Sequence, residues 1–266
     1  MNGLTDKFKT VEQLDKFEVD DVRGDSMRAL SNYKYLIFDV DDTLLNFYSA
    51  FKKAQEDMVK KLGIEYSDEY KRLDEKCGWK AWKESGLDDT ESQDVQKNYH
   101  VYYYQYIKMH YFYLAQELGM EIDVDELVEC YIESISSSKE LMEQETLHVY
   151  KALAKGYKLV LATNGIASIQ KPRISDFIPF TYKIYISEEV GHIKPSKIFF
   201  DSIIQDLGCE IKECLMIGDS MTNDIIGAKE MGMDVCYYNI KKKEKKNEIN
   251  VDYEIHSISE LMEILL

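Results

Sequence analysis

Cysteine is sparse in this 266-residue sequence and does not pair: Cys77, Cys130, Cys209, Cys214 and Cys236 are odd in number, scattered, and without a CxxC spacing. That excludes a disulfide framework and a zinc site, and reads as reduced thiols. Proline is scarcer still, three residues in all, which leaves long helical stretches unbroken. No apolar run approaches the roughly 18 residues of a membrane span. The opening MNGLTDKFKTVEQLDKFEVDD also lacks the apolar stretch of a secretory signal. The expectation is a cytoplasmic protein with no membrane partner. Positive charge is short too, 33 Lys and Arg against 49 Asp and Glu, a net charge of −16. Coating a polyphosphate backbone needs clustered basic residues, so nucleic acid is not an expected partner. A small anionic substrate stays open, because it responds to the local field of a pocket and not to the sum of charges. With 45% hydrophobic and 31% charged residues, the chain suits one large domain or a domain with an insert.

Short, β-branched apolar runs recur from Tyr35 onward: YLIF (35–38), KLVLA (158–162), KIYIS (183–187), CLMIG (214–218), DVCYY (234–238) and a weaker YEIH (253–256). Segments of helical period follow the later ones, as in KIFFDSIIQDLG (197–208) and TNDIIGAKEMG (222–232). Strands alternating with helices predict an α/β fold with a doubly wound, Rossmann-like parallel sheet. One spacing breaks this rhythm. Positions 39 to 157 separate the first strand from the second, far more than the dozen or so residues a crossover requires. Four helical patterns and no proline occupy 48–140, which reads as an all-helical cap domain inserted into a core formed by 32–47 and 141–266. Residues 1–31 are a polar arm of unassigned role, either a docking helix or a frayed tail. The basic run Lys241–Lys246 reads as a solvated loop.

Ligands of open α/β sheets bind at the carboxyl ends of the strands. After the first strand comes Asp39-Val40-Asp41-Asp42-Thr43, and after the second Thr163-Asn164-Gly165. Lys194-Pro195 follows the third strand and its loop, and Gly218-Asp219-Ser220 with Asp224 follows the fourth. Taken singly, the carboxylates pass for turn residues, Thr163 and Ser220 for helix N-caps and Lys194 for a surface charge. Together they crowd one sheet edge with carboxylates that repel one another unless a cation compensates. Mg²⁺ suits a few carboxylates plus a substrate phosphate. A carboxylate can then attack phosphorus, and a second one two residues along an extended backbone, on the same side, can protonate the leaving alkoxide and later deprotonate water. Lys194 would neutralise charge, while the Thr163 hydroxyl and the Asn164 N–H bind phosphoryl oxygens.

These motifs resemble those of the haloacid dehalogenase superfamily: DxDxT at 39–43, the threonine of LATNG, the lysine of GHIKPS, and GDSxxxD from Gly218 to Asp224. The resemblance runs from about Tyr33 to the end of the chain. It implies that Asp39 is the nucleophile and Asp41 the general acid and base. It further implies that Asp39, the Asp41 carbonyl and Asp219 hold Mg²⁺, with Asp224 behind them orienting a metal water or Lys194. A helical insert after strand one corresponds to the C1 cap, which selects small soluble phosphates. Family dehalogenases lack a carboxylate at the position of Asp41, so phosphate-ester hydrolysis is the implied reaction.

Asp42 stands where many family phosphatases have glycine. FDVDDTL, LATNG, SEEVGHIKP and MIGDSMTNDI resemble the YjjG-type branch of bacterial pyrimidine 5'-nucleotidases, whose partner is a nucleoside monophosphate. Sugar-phosphate, phosphoglycolate and N-acylneuraminate-9-phosphate phosphatases, a phosphomutase and a non-catalytic binding protein are the competing readings. In the insert, Tyr99, Tyr102, Tyr103, Tyr104, Tyr106, Tyr111, Phe112 and Tyr113 crowd one segment, with Trp79 and Trp82 upstream. Helical spacing puts Tyr102, Tyr106 and Tyr113 on one stripe and turns Tyr103 and Tyr104 away, toward solvent or the cleft. Aromatics at such spacing form a cap core by default; any that face the cleft can stack on a base.

Overall fold

In β1 (Tyr35–Phe38) all four side chains are buried, as a central strand covered on both faces requires. A computed structural model describes residues 32–89, 92–242 and 250–266. The expected arm at 1–31 and Lys243–Lys246 of the basic run lie outside the described residues. From β1 the chain enters α1 (Phe47–Leu62), α2 (Asp68–Ser85), α3 (Gln93–Leu118) and α4 (Val124–Ser137), then α5 (Thr146–Leu153) and β2 (Lys158–Thr163). After β2 come α6 (Ala167–Arg173), β3 (Lys183–Ile186), a single helical turn (Ser187–Val190), α7 (Lys197–Leu207) and β4 (Cys214–Gly218). A π-helical turn (Met221–Ile226) then leads through Gly227–Glu230 to β5 (Asp234–Tyr238), β6 (Tyr253–Ile255) and α8 (Glu260–Leu265).

All six strands are parallel, in the order β3-β2-β1-β4-β5-β6. The strand order reverses between β1 and β4, which is where ligands bind in doubly wound sheets. The period-two alternation of each strand divides its side chains between two cores. Leu36, Phe38, Leu159, Leu161, Leu215 and Ile217 face α5 and α8. Tyr35, Ile37, Val160, Ala162 and Met216 face α7 through Phe199, Phe200 and Ile203. Register pairs Phe38 with Ile217 and with Leu161, so the residues just past β1, β2 and β4 emerge side by side at one edge.

The long insert is helical, as expected. Asn46 caps α1 by accepting from the Ser49 N–H, and Ser67 caps α2 by accepting from the Tyr70 N–H. The pairs α1 with α4 and α2 with α3 pack together over a third core that includes Met58, Ile107, Leu114, Leu127 and Ile135. Among the described residues the cap meets the core through α3 and α4. α4 lies against α6, and the Ile193 N–H, in the loop after β3, donates to the Gln96 carbonyl of α3 at 3.0 Å. No helix among the described residues is long and apolar enough to cross a membrane.

Candidate active site

Asp39 follows β1 directly, and its N–H donates to the Ile217 carbonyl of β4 at 2.9 Å, which continues the ladder by one residue and aims the carboxylate at the switch point. Lys194 reaches it from the loop after β3. The residue is 1% exposed, and its ammonium donates to Asp39 Oδ1 at 2.5 Å, Asp224 Oδ1 at 2.7 Å and the Ala162 carbonyl at 2.8 Å. Three acceptors for three N–H donors leave it fully satisfied. Burial alone would lower its pKa, but the Asp224 and Asp39 carboxylates outweigh burial and raise it, so it stays a cation. Lys194 is therefore no surface charge.

The other oxygen of Asp39, Oδ2, accepts from Thr43 Oγ1 at 3.1 Å, and that same hydroxyl accepts from the Asp219 N–H at 3.1 Å. The last residue of DxDxT thus ties the nucleophile candidate to the β4 loop. Asp224 rises from the π-helical turn; its Oδ2 accepts from the Ser220 N–H at 3.0 Å while Oδ1 holds Lys194. Ser220 itself caps that turn by accepting from the Asn223 N–H, the ordinary role its position suggested.

Oxygen atoms of Asp39, Asp219 and Asp224 all lie within 4.8 Å of one another. Burial pushes the Asp39 carboxyl well above the usual range; Lys194 opposes this, and Asp224 and Asp219 add to it. Asp219 is pushed up to about 7 by burial, with Asp224 and Asp42 contributing. Three carboxylates against one ammonium leave a deficit that a single divalent cation balances. An all-oxygen donor set suits a hard ion such as Mg²⁺, so the residues present fit the expected cofactor.

Asp41 stands apart from that cluster. Its Oδ2 accepts from Gln170 Nε2 at 2.7 Å, and its Oδ1 pairs with Arg173 Nη1. Both partners sit on α6, and neither was singled out in the sequence. Their spacing of three residues on a helix that starts beside a motif was the only signal available. The chain turns at Asp42, whose φ of +60° explains why glycine is at home there and why aspartate, which tolerates the left-handed region, replaces it. Lys241, at the head of the basic run, lies 3.7 Å from the Asp42 carboxylate.

Thr163 closes β2 and is buried, its Oγ1 accepting from Gln170 Nε2 at 3.0 Å. The side chain of Asn164 does something the sequence did not suggest: it accepts from the Lys194 N–H at 2.8 Å and donates to the Lys194 carbonyl at 2.9 Å, clamping the lysine loop to the β2 turn. Ser187 braces the same turn through Gly165, and Glu188 accepts from the Ala167 N–H to cap α6.

A cleft of about 160 Å³ opens beside Asp41 between cap and core. Phe47, Tyr99 and Tyr103 line one side; Asn164, Ile166, Ile169, Gln170 and Arg173 line the other. Tyr99 and Tyr103, one helical turn apart on α3, stack with ring centroids 5.8 Å apart and planes at 22°. Of the cap aromatics, Tyr106 instead packs edge-on against Trp82, while Tyr102 and Tyr113 bond outward to Asp94 and Glu84.

Residues 33–232 match the family model of haloacid dehalogenase-like hydrolases. The pyrimidine 5'-nucleotidase PynA of Streptococcus pneumoniae (strain ATCC BAA-255 / R6) is 28% identical over 236 residues, covering 88% of this chain and 95% of PynA. The pyrimidine 5'-nucleotidase YjjG of Escherichia coli K12 is 30% identical over 117 residues, 43% of this chain and 52% of YjjG. A crystal structure of the HAD-hydrolase YfnB of Bacillus subtilis, bound to magnesium, superposes with a TM-score of 0.73 at 28% identity, covering 88% of this chain and 98% of that one.

Proposed function

The chain belongs to the haloacid dehalogenase-like hydrolases, and from that premise we propose that it is a Mg²⁺-dependent phosphatase of pyrimidine nucleoside 5'-monophosphates working through an aspartyl-phosphate. The observation that carries the hydrolytic reading is the Lys194 ammonium bridging Asp39 and Asp224, with Asp219 inside the same cluster and Asp41 beside an open cleft.

An oxygen of Asp39 attacks the phosphorus and the bond to the leaving oxygen breaks. Asp41 gives its proton to that oxygen as the alcohol departs. Asp41 then takes a proton from water, whose oxygen attacks the phosphorus of the acyl-phosphate, releasing phosphate and restoring Asp39. Lys194 keeps Asp39 oriented and offsets the charge that gathers around it. The Thr163 hydroxyl accepts from Gln170 and donates to the Asn164 carbonyl at a long 3.4 Å; with substrate bound it would turn its proton to a phosphoryl oxygen, alongside the Asn164 N–H. Asp39, the Asp41 carbonyl and Asp219 would hold Mg²⁺, with Asp224 fixing Lys194. The ion supplies Lewis-acid charge neutralisation at the phosphoryl group.

The leaving group must touch Asp41, so it lies in the cleft that Asp41 lines. Stacked Tyr99 and Tyr103 there offer a flat apolar wall to a base. Similarity to PynA over nearly the full length of both chains favours the pyrimidine nucleotide, and the magnesium in YfnB favours the metal. Phosphate release from a panel of phosphomonoesters in Mg²⁺ tests the reading. UMP and dTMP are expected to exceed phosphoglycolate and sugar phosphates in kcat/KM; a sugar phosphate at the head of the ranking would overturn the nucleotidase assignment.

A further inference from the structure

Gln170 and Arg173 grip both oxygens of Asp41, and we propose that they are positioning residues that aim Asp41 at the leaving oxygen; the proposal rests on the phosphatase reading above. Arg173 is 1% exposed. Beyond its pair with Asp41, its Nη1 donates to Gln170 Oε1 at 3.2 Å, its Nε donates to the Ser138 carbonyl at 3.3 Å, and its guanidinium carbon sits 5.7 Å from the centre of the Phe47 ring. The bond to Gln170 Oε1 settles which way the amide faces, and so presents Nε2 to Asp41 Oδ2 and to Thr163 Oγ1.

Two donors on two oxygens fix the plane of a carboxylate, which one contact cannot do. The Asp41 side chain is 26% exposed, at the edge of the cleft, so without that grip it would turn freely. A group that must meet one oxygen during a brief bond cleavage gains rate from being held in place beforehand. The orientation of the guanidinium is set by its bonds to Asp41, Gln170 and Ser138, and its buried Nη2 has no hydrogen-bond partner among the described residues. Gly165 belongs to the same arrangement: a Cβ there would come within 3.0 Å of Gln170 Nε2.

The chemistry supplies a readout that a merely structural role would not move. As the P–O bond of an alkyl phosphate breaks, the alkoxide must receive the Asp41 proton. A p-nitrophenolate departs as a stable anion and needs none. Wild type, Arg173→Met, Gln170→Leu, Asp41→Asn and the double variant Asp41→Asn/Arg173→Met are therefore compared on UMP and p-nitrophenyl phosphate in Mg²⁺. Arg173→Met is expected to lower kcat/KM for UMP at least about tenfold more than for the aryl ester, a part of the range that general acid catalysis spans. Asp41→Asn should show the same selective loss, and adding Arg173→Met to it should not change the ratio further. Equal losses on both esters, or a ratio that falls again in the double variant, would overturn the proposal. Should Arg173→Met fail to fold, Gln170→Leu must show the selective loss by itself. If UMP proves no better than ribose 5-phosphate, the nucleotidase reading falls, while the alkyl-to-aryl ratio measured on ribose 5-phosphate still decides the role of Arg173.

Discussion

Gly218 and Asp224 meet where β4 gives way to the π-helical turn, and their closeness accounts for the glycine of the fourth motif. A Cβ at 218 would lie 2.3 Å from Asp224 Oδ2, an oxygen held by the Ser220 N–H while its twin holds Lys194. Neither atom can yield without loosening the lysine. Gly218→Ala is therefore expected to lower stability by about 1–3 kcal/mol, the usual cost of overpacking, and to reduce phosphate release more than substrate affinity. Thermal melts and steady-state kinetics check this, and a variant unchanged in both would contradict it. At this scale the sequence was most informative where a residue's chemistry is rare at its position. Asp39, Thr163, Lys194, Asp219 and Asp224 announce themselves as a set after successive strands; the charged groups of Asp39, Lys194, Asp219 and Asp224 gather in one cluster, while Thr163 meets Asp41 through Gln170. Gln170 and Arg173 did not, because a glutamine and an arginine on a short helix look like any solvated face until the fold buries them against Asp41. The clamp made by the Asn164 side chain was equally invisible, since it depends on a loop 30 residues away.

Elements were legible wherever local pattern and burial agree. β1, β4 and β5 coincide with the apolar runs YLIF, CLMIG and DVCYY, because strands covered on both faces must be continuously apolar. The helix expected over 222–232 forms as a π-helical turn followed by Gly227–Glu230, a widening that periodicity cannot foretell and that carries Asp224. In α3, periodicity alone left the direction of Tyr103 undecided between solvent and cleft. The fold turns it, with Tyr99, to the cleft, because at steps of four both continue the inward stripe of Ile107, Tyr111 and Leu114 to the end of the cap core that the cleft meets. If those rings seat a base, Tyr99→Ala or Tyr103→Ala is expected to cost about 1–3 kcal/mol of UMP recognition, the measured worth of one stacked base. That appears as a fall in kcat/KM for UMP with little change for ribose 5-phosphate. Equal falls for both substrates would assign the rings to cap packing.

For the whole molecule, the governing fact is where the charges sit. A chain of net charge −16 gathers three carboxylates at the point where its sheet reverses order, and within the described residues sets one buried lysine among them. Such a site repels a phosphate until a cation is present, so activity and phosphate affinity are expected to vanish together on chelation. The presence of a helical insert was readable from one spacing, the long interval between the first two strands, whereas its seating through Ile193 and Gln96 required the folded chain.

In the proposed reaction Asp39 carries the phosphoryl group. Acid quenching of the enzyme during turnover of UMP, followed by mass measurement of its peptides, tests this most directly. With Mg²⁺ a phosphoryl group is expected on the peptide containing Asp39. With EDTA, or in Asp39→Asn, none is expected, and phosphate release should be slower by about 10³-fold or more, as when other nucleophiles are removed. Undiminished phosphate release by Asp39→Asn, with no phosphorylated peptide in the wild type, would contradict it.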